Sequence, residues 1–129
     1  MNQKVEKIKK NLGANPIVEF AYLFGSQLRG TATKKSDWDI AVYFKKDLRS
    51  LSPWTTFILE AEIAREIEEE VQVTVLNNID SPVFLFQIIS EGLLLIERDS
   101  NNRILFEASV LRKYHDWQYF LKRQMAHKL

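Results

Sequence analysis

The sequence predicts an α/β fold in the broad α+β sense, a small mixed sheet of about four strands with helices packed against it. Three observations carry this. Segments rich in β-branched and aromatic residues, at 17–24, 37–44, 71–76 and 93–96, alternate with segments of helical periodicity. The 129 residues are 46% apolar and 27% charged, the balance of one domain with a buried core. Cysteine is absent, which excludes a disulfide frame and a thiolate zinc site and leaves burial to hold the fold.

Val5, Ile8 and Leu12 recur at helical spacing among lysines and glutamates, so an amphipathic helix opens the chain, and Gly13, Asn15 and Pro16 stop it. Residues 17–24 read as a buried strand bounded by Pro16 and Gly25. Gly25 and Ser26 turn the chain into a polar segment, 27–36. The strand predicted over 37–44 sends Asp37, Asp39, Ala41 and Tyr43 to one face and Trp38, Ile40, Val42 and Phe44 to the other. Between Pro53 and Glu70 a helix is expected to bury the stripe Trp54, Phe57, Ile58, Ala61, Ala64 and Ile67 while its glutamates meet water.

The next strand, 71–76, places Glu70, Gln72 and Thr74 on one face and Val71, Val73 and Val75 on the other. Asp80-Ser81-Pro82 starts a helix over 83–90, Gly92 stops it, and 93–96 is the fourth strand. Asp99 or Ser100 caps a long amphipathic helix at about 101–127, with Phe106, Val110, Tyr114, Trp117 and Leu121 as its stripe. Residues 1–129 are thus expected to form a single domain without repeats or linkers.

Eighteen basic and seventeen acidic side chains give a net charge of +1, so there is no bulk electrostatic drive toward duplex nucleic acid. The charged N-terminal segment and the short apolar runs fit neither a bilayer span nor a signal peptide, and a cytoplasmic location away from membranes is expected. His115 and His127, the only two histidines, read as surface residues rather than metal ligands.

Asp37 and Asp39 are a costly pair on an otherwise apolar strand, because carboxylates leave water only at the expense of a partner. Their i, i+2 spacing points both to one face, where they can share magnesium, an ion that takes oxygen ligands and completes its shell with water and substrate phosphates. Upstream, Gly25 lets backbone approach an anion, and Ser26 adds a hydroxyl and N–H groups suited to phosphate. A Gly-Ser turn alone is ordinarily a tight turn, and an Asp-x-Asp alone a solvated strand edge. Joined between two apolar strands, they point to a metal and phosphate site. Arg29, Lys34 and Lys35 in the intervening loop are placed either to touch phosphate or simply to be solvated.

The arrangement strand, Gly25-Ser26, ten residues, Asp37-Trp38-Asp39, strand resembles the signature of the polymerase β-type nucleotidyltransferases. Within them, Tyr22-Leu-Phe-Gly-Ser-Gln-Leu-Arg-Gly-Thr-Ala and Ser36-Asp-Trp-Asp-Ile-Ala-Val resemble the minimal nucleotidyltransferases known as MntA antitoxins, partners of HEPN-domain toxins. The resemblance is dense over residues 20–44 and loose beyond. It implies that Gly25 and Ser26 hold the phosphates of ATP, that Asp37 and Asp39 bind Mg2+ as the catalytic pair, and that AMP passes to a hydroxyl of a cognate HEPN ribonuclease toxin. That family supplies a third carboxylate from the next central strand, and the matching position here is Gln72, with Glu70 two residues earlier on the same expected face. The departure keeps open two alternatives, an antitoxin that acts by binding alone and a small-molecule nucleotidyltransferase. The aromatic and basic residues of the last helix, including Arg112, Lys113, Tyr114, Trp117, Tyr119, Phe120, Lys122, Arg123 and Lys128, read as a closing helix or as a partner surface.

Overall fold

The computed structural model describes residues 2–33, 36–45 and 52–128. Val18–Phe24 forms strand β1, whose residues are buried from Val18 to Leu23. A strand apolar on both faces belongs in the interior of a sheet covered on both sides. That is its place: the order is β3-β2-β1-β4, with β2 spanning Trp38–Phe44, β3 Val71–Val75 and β4 Leu93–Glu97. β1 runs antiparallel to β2 and β4, and β2 runs parallel to β3, so the sheet is mixed as expected.

Helices α1 (Asn2–Gly13) and α3 (Trp54–Ile67) cover one face. Val5, Ile8 and Leu12 from α1 meet Trp38, Ile40, Val42 and Phe44, the face of β2 opposite Asp37 and Asp39. The carbonyls at the end of α1 are taken up by Arg98, whose guanidinium donates to Leu12 O, Gly13 O and Asn15 O, and to Val18 O on β1. On the other face, α4 (Pro82–Glu91) and α5 (Ser100–Lys128) pack Leu85, Ile88 and Val110 over Phe20, Tyr22 and Ala41. Ser81 caps α4 by accepting from Phe84 N at 3.2 Å, and Asp99 Oδ1 accepts from Asn101 N at 2.9 Å at the start of α5.

The expected stripe of α3 is its buried face only at the C-terminal end, where Ile67 is buried and Ala64 packs against the core. Leu59, Ile63 and Ile67 face the sheet, whereas Trp54, Phe57 and Ile58 are 65%, 62% and 52% exposed. Apolar residues occupy two sides of this helix, and its docking face is set by the sheet rather than by its own periodicity. The segment after Ser26 is also not wholly irregular: Ser26–Arg29 is a single helical turn, α2, with Leu28 packed against the core. Among the described residues no helix is long and apolar enough to cross a membrane.

Candidate functional site

β1 and β2 end and begin at the same edge of the sheet, with Phe24 opposite Asp39. The next residue, Gly25, has φ +85°, and a Cβ there would collide with Asp39 Oδ2. Glycine is required twice over, by a backbone of positive φ and extended ψ and by the carboxylate that fills the space a side chain would take. The Gly25 backbone and the Asp39 carboxylate therefore meet in one corner of the fold.

The chain then folds back on itself. α2 closes with Arg29 N donating to Gly25 O at 3.2 Å and Thr31 N to Ser26 O at 3.1 Å, Gly30 taking φ +74°. Ser36 holds the returning loop: its Oγ accepts from Thr33 N at 2.9 Å and its carbonyl accepts from Gln27 Nε2 at 3.2 Å. Asp37 follows at once. Asp37 and Asp39 are both half-buried, and the Asp39 carboxyl is raised above its ordinary value, by burial first and by the Asp37 carboxylate second, with Arg29 opposing. A carboxyl raised by burial and by a like charge marks a site short of positive charge. The hard oxygen donors of the two carboxylates are of the kind that magnesium takes.

Register places Gln72 beside Asp39 and Val71 beside Trp38. Gln72 is exposed on the site face, as alternation expected. Glu70 lies just before β3 and is exposed, and its carbonyl accepts the Trp38 N–H at 2.9 Å. Among the described residues no three His, Asp or Glu side chains converge to hold a metal, so neither Glu70 nor any other carboxylate completes a triad. Lys34 and Lys35 lie outside the described residues. Arg29 is the loop cation whose charge reaches Asp39.

Sequence reasoning missed the support beneath this pair. The Trp38 indole Nε1 donates to Glu69 Oε2 at 2.7 Å, and Lys4 Nζ reaches the same oxygen at 2.7 Å. Trp38 and Glu69 lie 31 positions apart in the sequence, and no local spacing signals the contact. A separate cleft of about 1050 Å³, lined by Glu19, Tyr43, Asn77, Asp80, Phe106 and Lys113 among others, includes none of Gly25, Ser26, Asp37 or Asp39.

Residues 6–101, which contain both halves of this corner, match the family model described as Polymerase beta, Nucleotidyltransferase. The chain belongs to that nucleotidyltransferase family. It is similar to the protein adenylyltransferase MntA of Shewanella oneidensis strain MR-1, with 26% identity over 117 residues that cover 91% of this chain and 78% of the relative. It is similar also to a chain of a toxin–antitoxin complex crystallised with AMP-PNP, at 27% identity and a TM-score of 0.74, covering 95% of this chain and 96% of the other. A complex of a tri-AMPylated Shewanella oneidensis HEPN toxin with its MNT antitoxin matches at 23% identity and a TM-score of 0.71, over 98% and 96% of the two chains, and speaks to the fold alone. The mixed four-stranded sheet with flanking helices is thus the nucleotidyltransferase fold.

Proposed function

We propose that this nucleotidyltransferase is the antitoxin of a toxin–antitoxin pair, binding ATP with magnesium and transferring AMP to a hydroxyl of a cognate HEPN-domain toxin in the cytoplasm. The observation that carries the reading is the corner in which Gly25 backbone meets the Asp39 carboxylate, with Asp37 two residues away. Similarity to MntA over 91% of the chain supports the nucleotide and the acceptor.

Asp37 and Asp39 are the residues that would hold magnesium, whose positive charge would offset the triphosphate and the charge that develops on its leaving group. The Ser26 hydroxyl, which makes no hydrogen bond among the described residues, is available to a phosphate oxygen, and Gly25 keeps the backbone close. Arg29 adds positive charge near Asp39. The acceptor oxygen bonds to the α-phosphorus as the bond to pyrophosphate breaks, and the hydroxyl proton leaves with solvent or a basic group of the acceptor. The exposed aromatic end of α5 is the surface proposed for the toxin.

A second reading is favoured by Gln72: without a third carboxylate the chain would bind nucleotide and silence its toxin by covering it. Incubating the toxin with this protein and ATP, then measuring intact mass, separates the two. Discrete AMP increments, absent with the Asp37→Asn/Asp39→Asn variant, support transfer. Inhibition without an increment supports covering alone, and a protein that neither binds ATP nor inhibits the toxin overturns both.

A further inference from the structure

Trp38, the residue between the two aspartates, is only 2% exposed and lies with its ring in the core beneath the site. Its backbone N–H donates to Glu70 O at 2.9 Å and its indole N–H to Glu69 Oε2 at 2.7 Å, so two successive residues of the α3–β3 connector grip one residue of β2. The connector is itself fixed. Glu68 takes the left-handed conformation that ends α3, and Glu69 N donates to Ala64 O at 3.3 Å in the last turn of that helix. Lys4 of α1 reaches the same Glu69 oxygen and holds its carboxyl below the ordinary value.

We infer that Glu69 is a positioning residue for the Asp37–Asp39 pair, acting through the Trp38 indole. β2 begins at Trp38, so Asp37 stands one residue outside the ladder, where a strand end frays. The two carboxylates also repel across the short gap, and without a metal the repulsion favours splaying them. A pin on the residue between them holds both Cα positions against that tendency, and the binding energy of the metal is not spent on ordering its ligands. The inference rests on the proposed reading of Asp37 and Asp39 as metal ligands.

A buried indole N–H needs an acceptor in any protein, so the test must separate positioning from simple satisfaction. The measurement is the affinity of the full chain for Mn2+ with ATP by calorimetry, beside a thermal melt. Trp38→Phe and Glu69→Ala should each weaken binding about tenfold, the lower end of what residues supporting metal ligands contribute. The double variant should be no weaker than either single one, because both remove the same bond. Glu69→Gln, which keeps an acceptor for the indole, and Lys4→Met, which leaves the Trp38 bond in place, should stay within about twofold of wild type.

Should Trp38→Phe fail to fold, the comparison of Glu69→Ala with Glu69→Gln decides, since Glu69 lies outside the apolar core. Unchanged affinity in Glu69→Ala, even with a lower melting temperature, overturns the inference. A wild type that binds no Mn2+ with ATP, or binds it no better than Asp39→Asn does, overturns the nucleotide reading along with it.

Discussion

Gln72 stands beside Asp39 in the parallel pairing of β3 with β2. Neighbours across parallel strands point to the same face, so the amide occupies the place from which a third carboxylate would meet the aspartate pair. The substitution has two opposite consequences. A third negative charge would push the Asp39 carboxyl further up in the metal-free protein, so the amide spares the fold that repulsion. The same amide gives a metal a neutral and weaker oxygen.

Burial and the Asp37 carboxylate raise the Asp39 carboxyl above the ordinary 3.8 of an unfolded aspartate, against the pull of Arg29. The folded chain then holds this proton more tightly than the unfolded chain does. The contribution to stability is complete below 3.8 and is lost as pH rises through the raised folded value. Metal-free Asp39→Asn should therefore melt above wild type at neutral pH, and the gap should close as the pH falls below 3.8. Excess magnesium should stabilise wild type and not the variant. A variant that melts lower than wild type without metal at neutral pH would show the carboxylate to be structural.

Gly25 and Gly30 both take positive φ, +85° and +74°, but Gly30 is left-handed helical with ψ 14° whereas Gly25 is extended with ψ -162°, a region essentially closed to other residues, and the two differ also in what surrounds them. Beside Gly30 there is open space, and beside Gly25 there is the Asp39 carboxylate. Gly30→Ala should lower stability by about 1 kcal/mol through backbone strain alone and leave ATP binding intact. Gly25→Ala adds the collision and should abolish binding. Calorimetry on the two variants checks it, and equal affinity in both would remove Gly25 from the site.

Glu68 is the one non-glycine residue with positive φ among those described, at 55°, and it closes α3. Glycine is the ordinary residue at such a helix end. Glu68→Gly relieves a left-handed cost of about 1–2 kcal/mol and gives the unfolded chain about 0.4–1 kcal/mol of freedom, so a net stabilisation of up to about 1 kcal/mol is expected. Chemical denaturation reads it directly. A loss of stability would mean that the Glu68 side chain contributes more than its backbone costs.

The long last helix divides its aromatic residues between two tasks. Tyr114 stacks on Phe86 of α4 with centroids 4.0 Å apart, and Trp117 stacks on Tyr114 at 5.8 Å. Within the next two turns or so, Tyr119, Phe120 and Met125 are 65%, 57% and 67% exposed. If the toxin binds here, Phe120→Ala with Met125→Ala should weaken the complex by about 2 kcal/mol or more while the free protein melts as before. Tyr114→Ala should instead loosen α5 from α4 and lower the melting temperature. Co-purification with the toxin beside a melt of the free protein distinguishes them, and a complex untouched by the Phe120 and Met125 changes places the interface elsewhere.

Period-two patterns made the sheet legible in the sequence. The two faces of β2 separate because Asp37 and Asp39 alternate with Trp38 and Ile40, and the same rule put Gln72 on the site face. Helix α3 was not legible to the same degree. Trp54, Phe57 and Ile58 form as good a stripe as Leu59 and Ile63, and only contact with β3 and α1 selects the second. The corner at Gly25 could be read locally, since a turn glycine and an acidic pair lie twelve to fourteen residues apart. The clamp of Trp38 by Glu69 and Lys4, like the capping of α1 by Arg98, joins residues that only the folded chain brings together.

The last prediction concerns Gln72 itself. In two-metal transfer a third carboxylate helps hold the metal that lowers the pKa of the attacking hydroxyl, whereas the first two suffice for the metal on the triphosphate. Wild type should then bind ATP yet label its toxin slowly. Gln72→Asp restores an anionic oxygen next to Asp39 and should speed AMP transfer at least about tenfold, the equivalent of ~1.4 kcal/mol in barrier height. Glu70→Gln should change little, because Glu70 is exposed before β3 and joins no carboxylate triad among the described residues. Single-turnover labelling followed by intact mass gives the rates. If Glu70→Gln abolishes labelling, that side chain swings in when the acceptor binds, and Glu70 is the third ligand. If Gln72→Asp instead slows transfer, the added repulsion in the metal-free site outweighs the new ligand, and melting the variant with and without magnesium should reveal that cost.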